Sequence, residues 1–206
     1  MVNLIRLSGY EAPATYCLML TIALVSLMAI YKKGTFASLL LHPYSVIRQH
    51  QYYRLLTADL VHNDLVHLVF NEVSLYIFGA NLEVTLEKRM RNGGWHLLQI
   101  FVISELAGNV LYTVIHRNRF EYSSAGCSGS VIGCLFAFMI LDPYGTALSF
   151  AFIGGIKNIF TGLIYIVLLS YYRWKKGNEM VNHEIHLYGA LGGILAVLII
   201  CPAILF

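Results

Sequence analysis

Three polar patterns in this sequence hold side chains of the types that carry out acyl transfer. His67 and Asn71 are four residues apart, so both fall on one face of a helix. Ser128 lies in a glycine-rich segment, where a helix that begins abruptly leaves backbone N–H groups unpaired. His186 lies three residues before Gly189. A serine is a weak nucleophile without a neighbouring base, and N–H donors can stabilise an oxyanion. Together the patterns supply nucleophile, base and oxyanion donors.

Each pattern taken alone also has a structural interpretation. His67 and Asn71 could form a hydrogen-bonded contact between two helices. Gly129 and Gly133 have the four-residue spacing of a close helix-packing surface. A single histidine near the end of an apolar segment, such as His186, could be an interfacial residue. The catalytic interpretation is favoured because it gives each of the three patterns a distinct role.

The composition indicates the environment in which these residues work. Apolar residues make up 58% of the 206 positions and charged residues 12%, against roughly 45–50% and about 25% in soluble domains. A compact soluble fold could not cover its surface with so few polar groups, so the chain is predicted to be an integral membrane protein. A net charge of +3 with scattered basic residues argues against a nucleic-acid partner. The four cysteines are predicted to be small buried hydrophobes, and no metal or other cofactor is expected.

Six apolar segments approach the length of ~20 residues that crosses a bilayer. We therefore predict an all-α membrane protein with one domain over 1–206 and spans at about 12–31, 65–82, 95–116, 126–142, 156–172 and 185–206. Ionisable groups inside such spans are costly, so those that occur are candidate functional residues. Glu72 and Glu105 are two such acids, and a polar pocket or a loop contact is the expectation for both.

The motifs and their order resemble those of the rhomboid intramembrane serine proteases over nearly the whole chain. The resemblance rests on three patterns: His67 and Asn71 with an additional His62; Gly126, Ser128 and Gly129; and His186, Gly189 and Gly193. Further matches are shorter: the aromatic–Arg pair Tyr53 and Arg54, the pair Gly79 and Glu83, and the run Ala107, Gly108 and Asn109.

The resemblance implies a six-helix rhomboid-like bundle in which Ser128 attacks a peptide carbonyl and His186 takes its proton. His67 and Asn71, with the backbone N–H of Ser128, would hold the oxyanion. The family needs neither metal nor cofactor. The implied substrates are membrane-spanning helices of other proteins, and the implied surroundings are the lipid bilayer and a water-filled cavity. The fourth span is then expected to begin below the membrane surface.

The sequence departs from the family pattern at one position, and two other functions remain possible from the sequence. Family members commonly have a tyrosine one turn after the nucleophile, where its ring stacks on the catalytic histidine, whereas this sequence has Ile132. An inactive rhomboid-like protein that binds and escorts membrane helices is one alternative. A small carrier or haem-binding bundle that uses His62, His67 and His186 is the other, although it leaves the Gly-x-Ser-Gly pattern unexplained.

Overall fold

A computed structural model describes residues 12–146, 148–150, 154–176 and 183–202 of the chain. These residues form nine α-helices and one short antiparallel hairpin. The helices are α1 (Pro13–Tyr31), α2 (Lys33–Leu39), α3 (Pro43–Arg48), α4 (Arg54–Thr57), α5 (Leu65–Met90), α6 (Gly93–His116), α7 (Ser128–Leu141), α8 (Asn158–Lys176) and α9 (His183–Ile200). The hairpin strands are β1 (Leu148–Phe150) and β2 (Gly154–Ile156), which the sequence did not predict, and they connect α7 to α8.

The first long helix is fixed to the second by a carboxylate. Helix α1 begins with Pro13, which is favourable at the first helical position. The Glu83 carboxylate of α5 accepts hydrogen bonds from the backbone N–H groups of Ala14 and Thr15, at 3.0 and 2.8 Å, and from the Thr15 hydroxyl at 2.7 Å. These N–H groups have no partner within their own helix, so an acid from a neighbouring helix satisfies them. This contact gives Glu83 of the predicted Gly79–Glu83 pair a structural role.

The segment between α1 and α5 contains the three short helices α2, α3 and α4 and a 3-10 turn (Ala58–Leu60), and one arginine of α4 ties it to the end of α2. The Arg54 guanidinium is buried. It donates to the carbonyl oxygens of Ala37 and Leu40, at 2.9 and 2.7 Å, and to the Gln51 side chain at 2.6 Å. Only a guanidinium offers several donors in a fixed planar arrangement. Tyr53 is half exposed, and its ring lies 5.6 Å from the guanidinium carbon.

Helix α7 is the central element of the bundle. Almost all of its side chains are buried, including residues on every side of the helix, as expected for a helix that is apolar all round. It packs against α5, α6, α8 and α9, most extensively against α9. With 14 residues it is about 21 Å long at ~1.5 Å per residue, shorter than a hydrocarbon core of ~30 Å.

Glycines bring α7 and α9 into backbone contact. A Cβ atom added at Gly189 would overlap the backbone carbonyl of Gly129, and one at Gly193 would overlap the carbonyl of Gly133. A Cβ at Gly129 would lie 2.8 Å from the Ile185 side chain, which is closer than real Cβ contacts. Small residues at four-residue spacing allow this kind of close approach inside membranes. The two helices therefore touch with nothing between their backbones.

The outer surface is that of a multi-pass membrane protein. Four described helices, α1, α5, α6 and α9, are long and apolar enough to cross a membrane, and two shorter apolar helices accompany them. Large apolar side chains on these helices are exposed, for example Val69, Phe70 and Leu195. One prediction was wrong here: Cys17 is exposed on α1, whereas Cys127, Cys134 and Cys201 are buried. A cysteine in a spanning helix can face lipid, because lipid is as apolar as the protein interior.

The backbone contact between α7 and α9 predicts that even one methyl group is too large there. We expect Gly193→Ala to separate the helices and lower the thermal unfolding temperature, with Gly193→Val more severe. Because a displacement of about 1 Å can cost ~10²-fold in rate, any activity that needs both helices should fall by roughly that factor.

Gly34→Ala is the control, since a Cβ at Gly34 meets nothing within 4 Å. The second control is Leu191→Val, because Leu191 on α9 is exposed. Both should unfold like the parent protein. If Gly193→Ala behaved as these controls do, the close contact would be absent in the membrane.

Candidate active site

The Ser128 side chain is presented at the first residue of α7 by an unusual backbone turn. Gly126 has φ +107°, a backbone conformation that residues other than glycine rarely adopt. Cys127 caps the helix, and its own side chain is buried. The turn therefore exposes Ser128 beside the unpaired N–H groups of the first helical turn and turns the neighbouring thiol inward.

His186 faces Ser128 across the contact between α7 and α9. Its Nε2 atom lies 2.7 Å from the Ser128 hydroxyl oxygen, a normal hydrogen-bond distance. The imidazole is mostly buried, and Gly189, one turn further on, sits against the backbone of Gly129. The glycine contacts thus set the separation between the hydroxyl and the ring.

His67 and Asn71 line the same cavity as Ser128 and His186. A Cβ added at Gly126 would lie 2.6 Å from Cε1 and 2.9 Å from Nε2 of the His67 ring, so the ring sits against the turn before Ser128. The Asn71 amide donates one hydrogen to the His67 carbonyl at 3.0 Å. An amide nitrogen carries two hydrogens, so the second can serve a ligand in the cavity.

His62 supports the backbone turn that precedes Ser128. Its Nδ1 lies 2.8 Å from the Ser26 hydroxyl, which itself donates to the Leu60 carbonyl at 2.8 Å. A hydroxyl has one hydrogen, so Nδ1–H must donate to Ser26. The Nε2 atom then accepts from the backbone N–H of Cys127, at 3.4 Å. Burial lowers the pKa of His62 to about 3, which keeps the ring in the neutral form that this network requires.

The cavity in front of these residues has a volume of about 1030 Å³ and opens to the outside. Its lining combines Ser128, His186, His67 and Asn71 with aromatic side chains such as Phe70 and Tyr122. It is large enough for a peptide segment. Among the described residues no group of three or more His, Cys, Asp or Glu side chains could hold a metal ion.

A family model described as Rhomboid domain matches residues 49–203, well over half of the chain. The chain belongs to the rhomboid family. The match covers every residue placed around the cavity above, from His62 to His186.

Relatives of this rhomboid occur in bacteria and plants. YdcA of Bacillus subtilis strain 168, provisionally named a rhomboid protease, is 30% identical over 150 residues, 70% of this chain and 65% of YdcA. The rhomboid protease GluP of the same organism is 29% identical over 153 residues, 74% of this chain and 27% of GluP. Rhomboid-like protein 15 of Arabidopsis thaliana is 24% identical over 169 residues, 79% of this chain and 39% of that protein. This rhomboid spans less than two thirds of the length of each of them.

Two buried acids, Asp59 and Glu105, lie beside α7, and only Glu105 was singled out from the sequence. Asp59 is buried and accepts a hydrogen bond from the Ser130 hydroxyl, two residues after Ser128. Burial raises the pKa of the Asp59 carboxyl, and its hydrogen bonds with Ser130 and Asn109 oppose that rise. Glu105 is buried close to Asp59. The Oε1 atoms of Glu105 and Glu72 are both buried with no hydrogen-bond partner among the described residues, so the polar pocket or loop contact expected for these two acids stays a prediction.

A second polar cluster joins three elements at the rim of the cavity. Nε2 of His116, the last residue of α6, lies 2.6 Å from the Glu184 carboxylate, two residues before His186. The His116 ring also stacks on Tyr122 in the segment before α7, with ring centres 4.1 Å apart. Sequence reasoning missed this cluster, because the three residues share no local spacing.

Tyr165 of α8 is the other contact that the sequence did not reveal. Its hydroxyl oxygen lies 3.3 Å from Nδ1 of His186. Nothing in the spacing of α8 distinguishes Tyr165 from the other aromatic residues of that helix. The only sequence signal was indirect: Ile132 departs from the motif of the family that the sequence resembles, which has a tyrosine against the histidine at that position.

The depressed pKa of His62 predicts a specific loss of stability in acid. A histidine in the unfolded chain takes up a proton near pH ~6.5, whereas His62 in the folded protein does so near 3. Between these values the unfolded state binds the extra proton, so stability is present above the unfolded pKa and is lost as pH falls. We expect the thermal unfolding temperature to drop with pH in this window, and to drop less steeply in His62→Gln.

His50→Gln is the matched control, because His50 lies on the exposed surface of the first loop. Its pH profile should follow the parent protein. Equal slopes for His62→Gln and the parent would contradict the assigned network.

Proposed function

We propose that this rhomboid is an intramembrane serine endopeptidase that uses Ser128 and His186 as a catalytic dyad. The observation that carries the proposal is the 2.7 Å hydrogen bond between the Ser128 hydroxyl and Nε2 of His186 inside an open cavity. Family membership supports the same activity, since relatives such as GluP are named rhomboid proteases. An inactive protein that escorts membrane helices would have no need for this contact.

The dyad divides the reaction into formation and hydrolysis of an acyl-enzyme. In the resting state Nε2 of His186 accepts a hydrogen bond from the Ser128 hydroxyl, so Nδ1 carries the ring hydrogen. As the Ser128 oxygen attacks the substrate carbonyl, its proton moves to Nε2. The imidazolium then protonates the leaving amine, and an acyl-enzyme remains on Ser128. A water molecule, deprotonated by the same nitrogen, then attacks the acyl-enzyme; the acid product leaves, and Nε2 returns the proton to the Ser128 oxygen.

The developing negative charge on the carbonyl oxygen needs donors that are already in place. The candidates are the backbone N–H of Ser128, at the start of α7, and the side chains of Asn71 and His67. The Asn71 amide is fixed by its bond to the His67 carbonyl, so little reorganisation is required when the charge forms. Such preorganised donors are usually the largest contribution to acyl transfer.

The surroundings favour a substrate that is itself a membrane-spanning helix. We propose that α7 and α8 complete six spans with the four longer helices, and that α7 begins below the membrane surface. Its length of about 21 Å leaves room above Ser128 for the water that hydrolysis requires. A helical substrate must unwind locally to reach the cavity, so helix-weakening residues near the cleavage site are expected.

Replacement of either member of the dyad should abolish cleavage of a model membrane substrate. Ser128→Ala and His186→Ala should be equally inactive, and the double variant no worse than either, because the two residues act as a unit. Labelling of the parent with a serine-directed fluorophosphonate should need both residues. Cys127→Ala should keep most activity, since that thiol is buried away from the cavity. Substantial cleavage by Ser128→Ala would refute the assignment.

Asn71→Ala should slow turnover by roughly 10²–10³-fold, with little change in substrate affinity, if the amide acts mainly on the transition state. The chain offers a close control in Asn81, whose amide makes the same bond to the carbonyl four residues earlier, at 2.7 Å, on the same helix. Asn81→Ala should retain its rate. A variant Asn71→Ala that unfolds more easily but cleaves at the parental rate would make Asn71 a packing residue.

A further inference from the structure

We propose that Tyr165 of α8 is a positioning residue for His186, holding its ring in the tautomer and orientation that the dyad uses. This inference rests on the proposed protease function. The direct observation is the 3.3 Å separation between the Tyr165 hydroxyl oxygen and Nδ1 of His186, on the side of the ring opposite Ser128.

The hydrogen-bond pattern around the ring fixes the direction of this contact. Nε2 must be free of hydrogen to accept from Ser128, so the neutral ring carries its hydrogen on Nδ1. That N–H points to Tyr165, whose oxygen accepts it. When Nε2 takes the serine proton, Nδ1–H becomes a stronger donor to the same oxygen. Tyr165 therefore occupies the place that a carboxylate holds in a Ser-His-Asp triad, without a charge.

Packing holds the phenol ring where this bond requires it. Tyr165 lies against a buried cluster formed by Ile132, Leu135, Phe136 and Ala190. Ile132 follows Ser128 by one helical turn and Ala190 follows His186 by one turn, so the ring covers the residues just beyond both members of the dyad. Ile132 is thus part of the apolar surface against which this ring packs.

The contact also makes α8 part of the active site. The main packing of α8 in the described part of the chain is with α7, whereas His186 belongs to α9. The Tyr165 hydroxyl is thus a polar connection from α8 to the base itself. A displacement of α8 would therefore disturb the orientation of the histidine.

The test uses the whole 206-residue chain and compares Tyr165→Phe with Tyr171→Phe. Tyr171 is on the same helix and 51% exposed. Loss of the Tyr165 hydroxyl should lower kcat by about 5- to 10-fold, the rate equivalent of one neutral hydrogen bond, with KM unchanged. Tyr165→Phe retains the ring, so its thermal unfolding temperature should fall by no more than the loss of one hydrogen bond explains. Tyr171→Phe should keep the kcat and the KM of the parent.

A second measurement reports on the ring directly and does not depend on cleavage. In protein with ¹⁵N-labelled histidine at mildly alkaline pH, the His186 signals are assigned by their loss in His186→Ala. The parent should show one tautomer with hydrogen on Nδ1, and Tyr165→Phe should show a mixture of both. A kcat and a tautomer unaffected by Tyr165→Phe would overturn the proposal. If the parent protein neither cleaves nor labels, the protease function fails, and the tautomer comparison still decides whether Tyr165 orients His186.

Discussion

The contact between the backbones of α7 and α9 is the constraint on which the rest of the site depends. Gly129 and Gly133 on one helix meet Gly189 and Gly193 on the other with no side chain between them. Lipid supplies no hydrophobic force between helices, so close packing of this kind is what holds them together. Each helix carries one member of the Ser128–His186 pair beside these glycines. The separation of two functional groups is thus fixed by the absence of side chains.

The position of Ser128 depends on a second constraint, the hydrogen bonds that residues 58–62 make to the residues around it. The Ala58 carbonyl accepts from the N–H of Gly126 at 3.0 Å, Asp59 binds the Ser130 hydroxyl, and His62 accepts from the N–H of Cys127. These three hydrogen bonds hold residues on both sides of Ser128 in the sequence, and none of them involves Ser128 itself. They stabilise the turn at Gly126. The positive φ of this turn would be strained for most residues other than glycine. A buried acid and a buried histidine, costly in isolation, are satisfied because they perform this structural task.

How far the sequence predicted the molecule follows from the range of the interactions. Contacts set by spacing along one helix were predictable: His67 and Asn71 share a face, and Ser128 begins a helix. Contacts between distant segments were not predictable from spacing, and the pairing of Ser128 with His186 was expected only because the motifs resemble those of the rhomboid proteases. Tyr165 with His186, Glu184 with His116 and Ser130 with Asp59 each join residues with no common period. The hairpin was missed because its strands are only three residues long, and the lipid-facing side of Cys17 because a spanning helix is apolar on both faces.

The substitution at position 132 illustrates how a local departure is absorbed elsewhere. Judged from its own motif, Ile132 removes an aromatic contact to the histidine and leaves the base less well oriented. In the folded chain Ile132 is instead part of the apolar cluster against which Tyr165 packs, and Tyr165 reaches the same histidine from α8. An aliphatic residue of α7 and a tyrosine of α8 thus belong to one packed region beside His186. The motif on α7 taken alone shows that a tyrosine is missing at position 132. It does not show that α8 supplies a tyrosine to the same histidine, because that contact joins two different helices.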